Sequence, residues 1–149
     1  MIRNKDTHKL SAMNRVKKVT VVIEASSTGF GAYSDALPGI TGYGKTIDEA
    51  KTDLKESLQE VLAAHAEEGS APDTKLNGGN LEFIYKYDLP SLFEHFGMLD
   101  ATNFAKHIGL NPSLLRQYKK GIAPISDKQK ERIERGLHDL GRELLNVRL

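Results

Sequence analysis

At 149 residues the chain is long enough for one mid-sized domain or two small ones, and a hydrophobic content of 39% supports a core without supplying a membrane-spanning run. The absence of cysteine excludes disulfides and thiolate zinc sites. The formal net charge of +1 hides an uneven distribution. Residues 17–88 hold seven basic and twelve acidic residues, whereas residues 89–149 hold ten basic and seven acidic. An acidic part suits a basic protein partner, and a basic part suits nucleic acid.

Residues 1–16 are polar and basic, without periodicity or an apolar segment. They read as a flexible tail rather than a secretory signal, and a cytoplasmic protein is expected. Lys17–Ala25 (KKVTVVIEA) is rich in β-branched residues and predicts a strand. Gly29–Ser34 predicts a second strand after a turn at Ser26–Gly29, and Ile40–Tyr43 a third after Leu37–Pro38–Gly39. A long helix follows. Thr46 caps it, Glu49 completes a capping box, and Ile47, Ala50, Leu54, Leu58, Val61, Leu62 and His65 form its apolar stripe. Glu67–Asn80 reads as a loop. Leu81–Tyr87 (LEFIYKY) alternates, so a fourth strand is expected with Leu81, Phe83, Tyr85 and Tyr87 on one face.

From Pro90 onward only helices are expected, with the domain boundary near Asp88–Ser91. A short helix over Ser91–Phe96 precedes the stretch DATNFAKHIGLNPSLLRQYKKG, Asp100–Gly121. Asp100 caps a helix over Ala101–Ile108. Gly109 occupies the left-handed stop position, and Leu110 is its apolar clamp. Asn111 caps the next helix, and Pro112 stands in its first turn. Ala105 and Gly109 are small where helices cross, and Ile108, Leu115 and Tyr118 point inward. A last helix opens at Ser126 and Gln129, and its stripe is Ile133, Leu137, Leu140 and Leu144.

No acidic residue occurs from Ala101 to Ile125, while Lys106, Arg116, Lys119 and Lys120 do. This is the layout of a helix-turn-helix of the phage-repressor type, whose second helix enters the DNA major groove. Arginine and glutamine read guanine and adenine edges by paired hydrogen bonds, so Ser113, Arg116 and Gln117 are the base-reading candidates. Asn111, Lys119 and Lys120 are the phosphate candidates. An ordinary helical hairpin with a solvated basic face fits the same pattern. Operators with two half-sites call for a dimer, so a homo-oligomer is expected.

Gly39–Thr46 (GITGYGKT) matches the phosphate-binding string G-x-x-x-x-G-K-[ST]. Its context does not match. The preceding segment is polar and kinked, no parallel α/β sheet follows, and Asp88 is the nearest candidate for a magnesium ligand. The same residues serve turns and a helix cap. A nuclease centre built on Glu24, Asp35 and Asp48 lacks enough converging carboxylates. His8, His65, His95, His107 and His138 show no metal-ligand spacing. No catalytic residue, metal or cofactor is assigned.

Phe30–Leu58 (FGAYSDALPGITGYGKTIDEAKTDLKESL) resembles the HicB antitoxin family. The family pattern is an aromatic-containing strand, Leu-Pro-Gly, a short glycine-containing strand, Gly-x-Thr and an acidic-Glu-Ala helix start. Here these are Leu37–Pro38–Gly39, Gly44–Lys45–Thr46 and Asp48–Glu49–Ala50, with Lys45 where members often carry Asp. Many members end in a DNA-binding unit, and the resemblance covers about residues 17–149. It implies an α+β fold: a partly degenerate ribonuclease-H-like β-β-β-α-β domain over 17–88 and an all-α helix-turn-helix domain over 89–149. It implies an antitoxin that covers a HicA-type mRNA-cleaving toxin and represses its own operon by binding double-stranded operator DNA. The expected toxin-facing surface is that around Tyr33, Asp35, Leu37 and Pro38, since turns beside a sheet are exposed. The alternative is a stand-alone regulator whose αβ domain oligomerises or senses a ligand.

Overall fold

The computed structural model describes residues 15–149. The expected tail therefore lies outside the described residues except for its last two. The chain is mixed α+β and divides into two compact units, one ending at Ser91 and one running from Leu92 to Leu149.

The first unit holds a four-stranded mixed sheet made of β1 (Lys17–Ala25), β2 (Phe30–Tyr33), β3 (Thr41–Gly44) and β4 (Leu81–Tyr87), with spatial order β3-β2-β1-β4. The pairs β1–β2 and β2–β3 are antiparallel, and β1–β4 is parallel. The parallel pair needs a crossover. Helix α1 (Ile47–Glu68) and a 3-10 segment (Thr74–Gly79) supply it. Val19, Val21, Ile23 and Ala32 form the inner sheet face with Ala50, Leu54 and Leu58 of α1, all buried. Phe83, Tyr85 and Tyr87 lie half-buried against that core.

Two features of the Leu-Pro-Gly block acquire a physical reason. The Ile40 amide donates to the Leu37 carbonyl at 3.1 Å, and Gly39 has φ of 78°. That is the arrangement of a type II turn, with proline second and a positive-φ glycine third. The turn drives Leu37 and Ile40 into the core. In β3, a Cβ on Gly42 would stand 2.3 Å from the Ala50 carbonyl oxygen, and one on Gly44 would stand 2.4 Å from the Glu49 Cβ. The bare strand backbone is what lets α1 lie directly on it. The capping box forms as its spacing predicts: Thr46 accepts from the Glu49 amide, and the Glu49 carboxylate accepts from the Thr46 amide.

Asp88 ends the sheet. One carboxylate oxygen accepts from the Ala25 amide at 2.9 Å, and the other accepts from the Ser91 amide at 2.9 Å. It joins the end of β1 to the first turn of α2 (Leu89–His95), which opens two residues earlier than the sequence predicts.

In the second unit, α3 (Ala101–Ile108) and α4 (Pro112–Lys119) are joined by a turn at Gly109, with φ of 71°, and α5 spans Asp127–Leu145. The Leu110 amide donates to the Ala105 carbonyl at 2.8 Å, which closes the left-handed stop and buries Leu110. Phe93, Phe104, Ala105, Leu115, Tyr118 and Ile133 are buried as the core. Gly109 is exposed, so its role is conformational and not to let helices cross. The close crossing falls instead at Gly136, where a Cβ would stand 2.3 Å from Ile108 Cγ2. Arg132 reaches from α5 to the carbonyls of Ile108 and Gly109, at 3.3 and 2.6 Å, and so satisfies the end of α3.

Candidate nucleic-acid interface

Helix α4 begins with its own amides satisfied. Asn111 Oδ1 accepts from the amides of Ser113 and Leu114 at 2.9 and 3.3 Å, so this side chain is a cap first, and only its Nδ2 remains to donate outward. The buried side is Leu115 and Tyr118. Ser113, Arg116, Gln117 and Lys120 fall at i, i+3, i+4 and i+7, which is one helix face, and all four are exposed. The three base-reading candidates therefore share one outward surface with Lys120.

Arg116 is oriented before any ligand arrives. Its Nη1 donates to Thr102 Oγ1 on α3 at 2.8 Å, and its Nη2 donates to Ser113 Oγ at 3.0 Å. A guanidinium has five N–H donors, so the fork keeps donors for an acceptor edge in front of the helix. Thr102 is the residue that sequence reasoning missed. A threonine on the first helix carries no signal of reaching the second. Lys119 stands off this face, its Nζ 5.9 Å from the Phe93 ring centroid. Lys120 follows the helix end and is exposed.

The residues expected to face a toxin do not form one set. Tyr33 is half-buried on the sheet face opposite α1, and Asp35 and Pro38 are exposed. Leu37 is 1% exposed and belongs to the core, which corrects its assignment to the surface. A turn exposes its backbone, but the type II geometry here folds that side chain inward. The outer sheet face holds large exposed residues that the sequence reading did not single out. Tyr43 is 50% exposed and Ile84 48%. The register sets Thr41 beside Tyr33, Tyr33 beside Val22 and Val22 beside Lys86 across the four strands.

The Tyr33 hydroxyl donates to Glu24 Oε1 at 2.8 Å. That hydrogen bond, with the carboxylate charge beside it, pushes the Tyr33 phenol above the ordinary tyrosine value. Glu24→Ala removes both the acceptor and the negative charge. The Tyr33 midpoint is expected to fall toward that ordinary value, followed by NMR of the ring carbon. An unchanged midpoint would show that Glu24 does not set it.

The phosphate-loop string folds as something else. Thr41–Gly44 is a paired strand, not a loop. The Tyr43 amide donates to Asp53 Oδ2 at 2.8 Å, and the amides of Lys45 and Thr46 donate to Glu49 Oε2 at 2.8 and 3.2 Å. Carboxylates of the protein occupy the donors that a phosphate requires. Asp88, with both oxygens on backbone amides, is likewise a structural cap. Among the described residues no group of three or more His, Asp or Glu side chains can hold a metal ion, and no helix is long and apolar enough to cross a membrane.

No family model, curated protein or solved structure matches the chain.

Proposed function

We propose that the protein is a HicB-type antitoxin that binds operator DNA through α4. The observation that carries the DNA half is the exposed row Ser113, Arg116, Gln117 and Lys120, on a helix whose surroundings from Ala101 to Ile125 contain no acidic residue. Arg116 and Gln117 read base edges, Ser113 supports the guanidinium, and Lys120 with Lys119 contacts phosphates. In this reading the Asp100–Gly121 pair is a helix-turn-helix, and the strand order β3-β2-β1-β4 with one crossover helix is a pared-down ribonuclease-H-like domain.

The toxin half draws support from three observations. The Phe30–Leu58 block carries the family pattern, the Lys17–Asp88 segment has an acidic balance that suits a small basic toxin, and the outer sheet face around Tyr33, Tyr43 and Ile84 is open. The reading assigns no catalytic residue and no cofactor, and it sets the protein in the cytoplasm.

One observation favours the alternative of a stand-alone, ligand-sensing regulator. A groove of about 360 Å³ lies between α1 and β4, lined by Lys55, Leu58, Leu81, Phe83 and Tyr85. Lys51 overlooks the same strand, 4.0 Å from the Tyr85 ring centroid.

Selection of fragments from the native genome by the purified chain tests the DNA half. The expected result is enrichment of the segment upstream of its own gene. Recovery of fragments without sequence preference would contradict operator recognition.

A further inference from the structure

Helix α1 does not cover the whole inner face of its sheet. Strands β3 and β4 are the two edges, three spacings of about 4.8 Å apart, whereas a helix with its side chains is about 10 Å across. The bare glycines of β3 hold the helix at that edge, where Gly42 admits the Ala50 carbonyl and Gly44 the Glu49 side chain. The inner face of β4, made of Leu81, Phe83, Tyr85 and Tyr87, is left half-buried as a result. The groove of about 360 Å³ runs between that face and α1. Its floor is aromatic: the Phe83 and Tyr85 ring centroids lie 6.4 Å apart, and those of Tyr85 and Tyr87 6.5 Å. Its rim is cationic. Lys51 and Lys55 stand one turn apart on the flank of α1 toward β4, and the Lys51 Nζ donates to the Tyr87 hydroxyl at 2.7 Å. The same Nζ is 4.0 Å from the Tyr85 ring centroid and 5.2 Å from that of Tyr87. An ammonium has three donors, so two remain.

We infer that this groove binds a small planar ligand carrying an anionic group, its ring against Phe83 and Tyr85 and its anion at Lys51 and Lys55. The first argument is charge. Among the described residues neither lysine has a carboxylate within ion-pair distance, and no carboxylate lines the groove. Glu82 alternates to the opposite face of β4. In a segment with twelve acidic residues against seven basic ones, this rim is a cationic spot without a counter-charge, and Lys51 is half-buried there. A ligand anion supplies that charge and takes charge-assisted hydrogen bonds from the ammonium groups. The second argument is shape and surface. A volume of this size suits a ligand of one or two rings, and a mostly apolar, aromatic lining with a few placed polar groups is what small-molecule sites present. Rings 6.4 Å apart offer faces and edges for stacked or edge-to-face contact with a further ring. The site stands on these residues alone. Its consequence, control of the protein by a small molecule, rests on the alternative reading of a ligand-sensing regulator.

Two probes of nearly the same shape test the inference on the full-length chain. Naphthoate carries a carboxylate where naphthamide carries a neutral amide. Titration of each, followed by NMR of the phenylalanine and tyrosine rings, is expected to show saturable one-to-one binding of naphthoate at least about tenfold tighter than naphthamide, the worth of a hydrogen bond to a charged group. The largest shifts are expected at Phe83 and Tyr85, with Phe93 and Phe104 of the second unit unmoved. Lys51→Met combined with Lys55→Met keeps the apolar stems and removes the charges. It is expected to lower naphthoate affinity to that of naphthamide and to leave naphthamide affinity unchanged, which also shows that the groove is still folded. The comparison of the two probes on the unaltered protein stands without the variant. No saturation at millimolar naphthoate, equal affinity for the two probes, shifts centred on the second unit, or undiminished binding in the double variant would overturn the site. Tighter binding of a single-stranded oligothymidylate, lost in the same variant, would overturn the small ligand in favour of a nucleic-acid strand stacked on the aromatic row. None of these measurements involves a toxin or operator DNA, so failure of the groove is distinguishable from failure of either functional reading.

Discussion

Replacing Gly42 with alanine is expected to destabilise the αβ unit by about 3 kcal/mol, the upper part of the range for overpacking a tightly filled core. The added methyl would stand 2.3 Å from the Ala50 carbonyl oxygen, 2.5 Å from the Leu54 amide nitrogen and 2.9 Å from the Leu54 Cα. All three are backbone atoms of α1, so no side-chain rotamer relieves the contact. Either the helix lifts from the sheet or β3 detaches from β2. For a unit of this size, 3 kcal/mol corresponds to a fall in melting temperature of more than about 10 °C. Gly31→Ala is the matched control. It lies on the neighbouring strand, one residue before Ala32, the partner of Gly42, where a Cβ meets nothing within 4 Å, and it is expected to change stability little. Thermal unfolding of both variants by circular dichroism checks the pair. Equal melting temperatures would contradict the close approach of α1 to β3, and with it the physical explanation of the glycines that precede Lys45–Thr46.

The second large effect belongs to Arg116. Arg116→Ala is expected to weaken binding to the operator by about 1–3 kcal/mol, the worth of one bidentate base contact, while random-sequence DNA loses much less. Arg116→Lys separates charge from geometry. It keeps a cation for phosphates but loses the planar fork that Thr102 and Ser113 orient, so operator binding is expected to fall nearly as far as in the alanine variant. Arg116 is exposed and its two hydrogen bonds lie at the surface, so the melting temperature is expected to move little. Fluorescence anisotropy on operator and random duplexes at one salt concentration measures the contrast. Equal losses on both would assign Arg116 to phosphate, and no loss on either would remove α4 from the interface.

Local chemistry is what the sequence made legible. Thr46 with Glu49, Asp100 before α3, the Gly109–Leu110 stop and the Asn111–Pro112 start act within a few residues of themselves, and each appears where its spacing predicts. The alternation in LEFIYKY was readable for the same reason. What was not readable depends on contacts between distant residues. Leu37 is buried because the turn that holds it closes over the core, although its neighbours Asp35 and Pro38 are exposed. Gly42 and Gly44 are required by a helix that begins three residues after Gly44, and the string they complete suggested a phosphate loop instead. Asp88 looked like a possible metal ligand, yet its oxygens go to the amides of Ala25 and Ser91, one of them 63 residues away. The buttress from Thr102 to Arg116 crosses from one helix to the next, and no periodicity within either helix encodes it.

The central claim is that the αβ unit holds a toxin while α4 holds the operator. The most direct measurement is affinity capture of the tagged full-length chain from its native lysate, with mass spectrometry of everything retained and a growth assay of the captured partner. The account predicts a small basic protein in fixed stoichiometry, whose expression alone arrests growth and whose toxicity this chain suppresses. Retention of DNA with no protein partner would contradict the antitoxin reading, and it would transfer the αβ unit to the role of an oligomerising or ligand-sensing module.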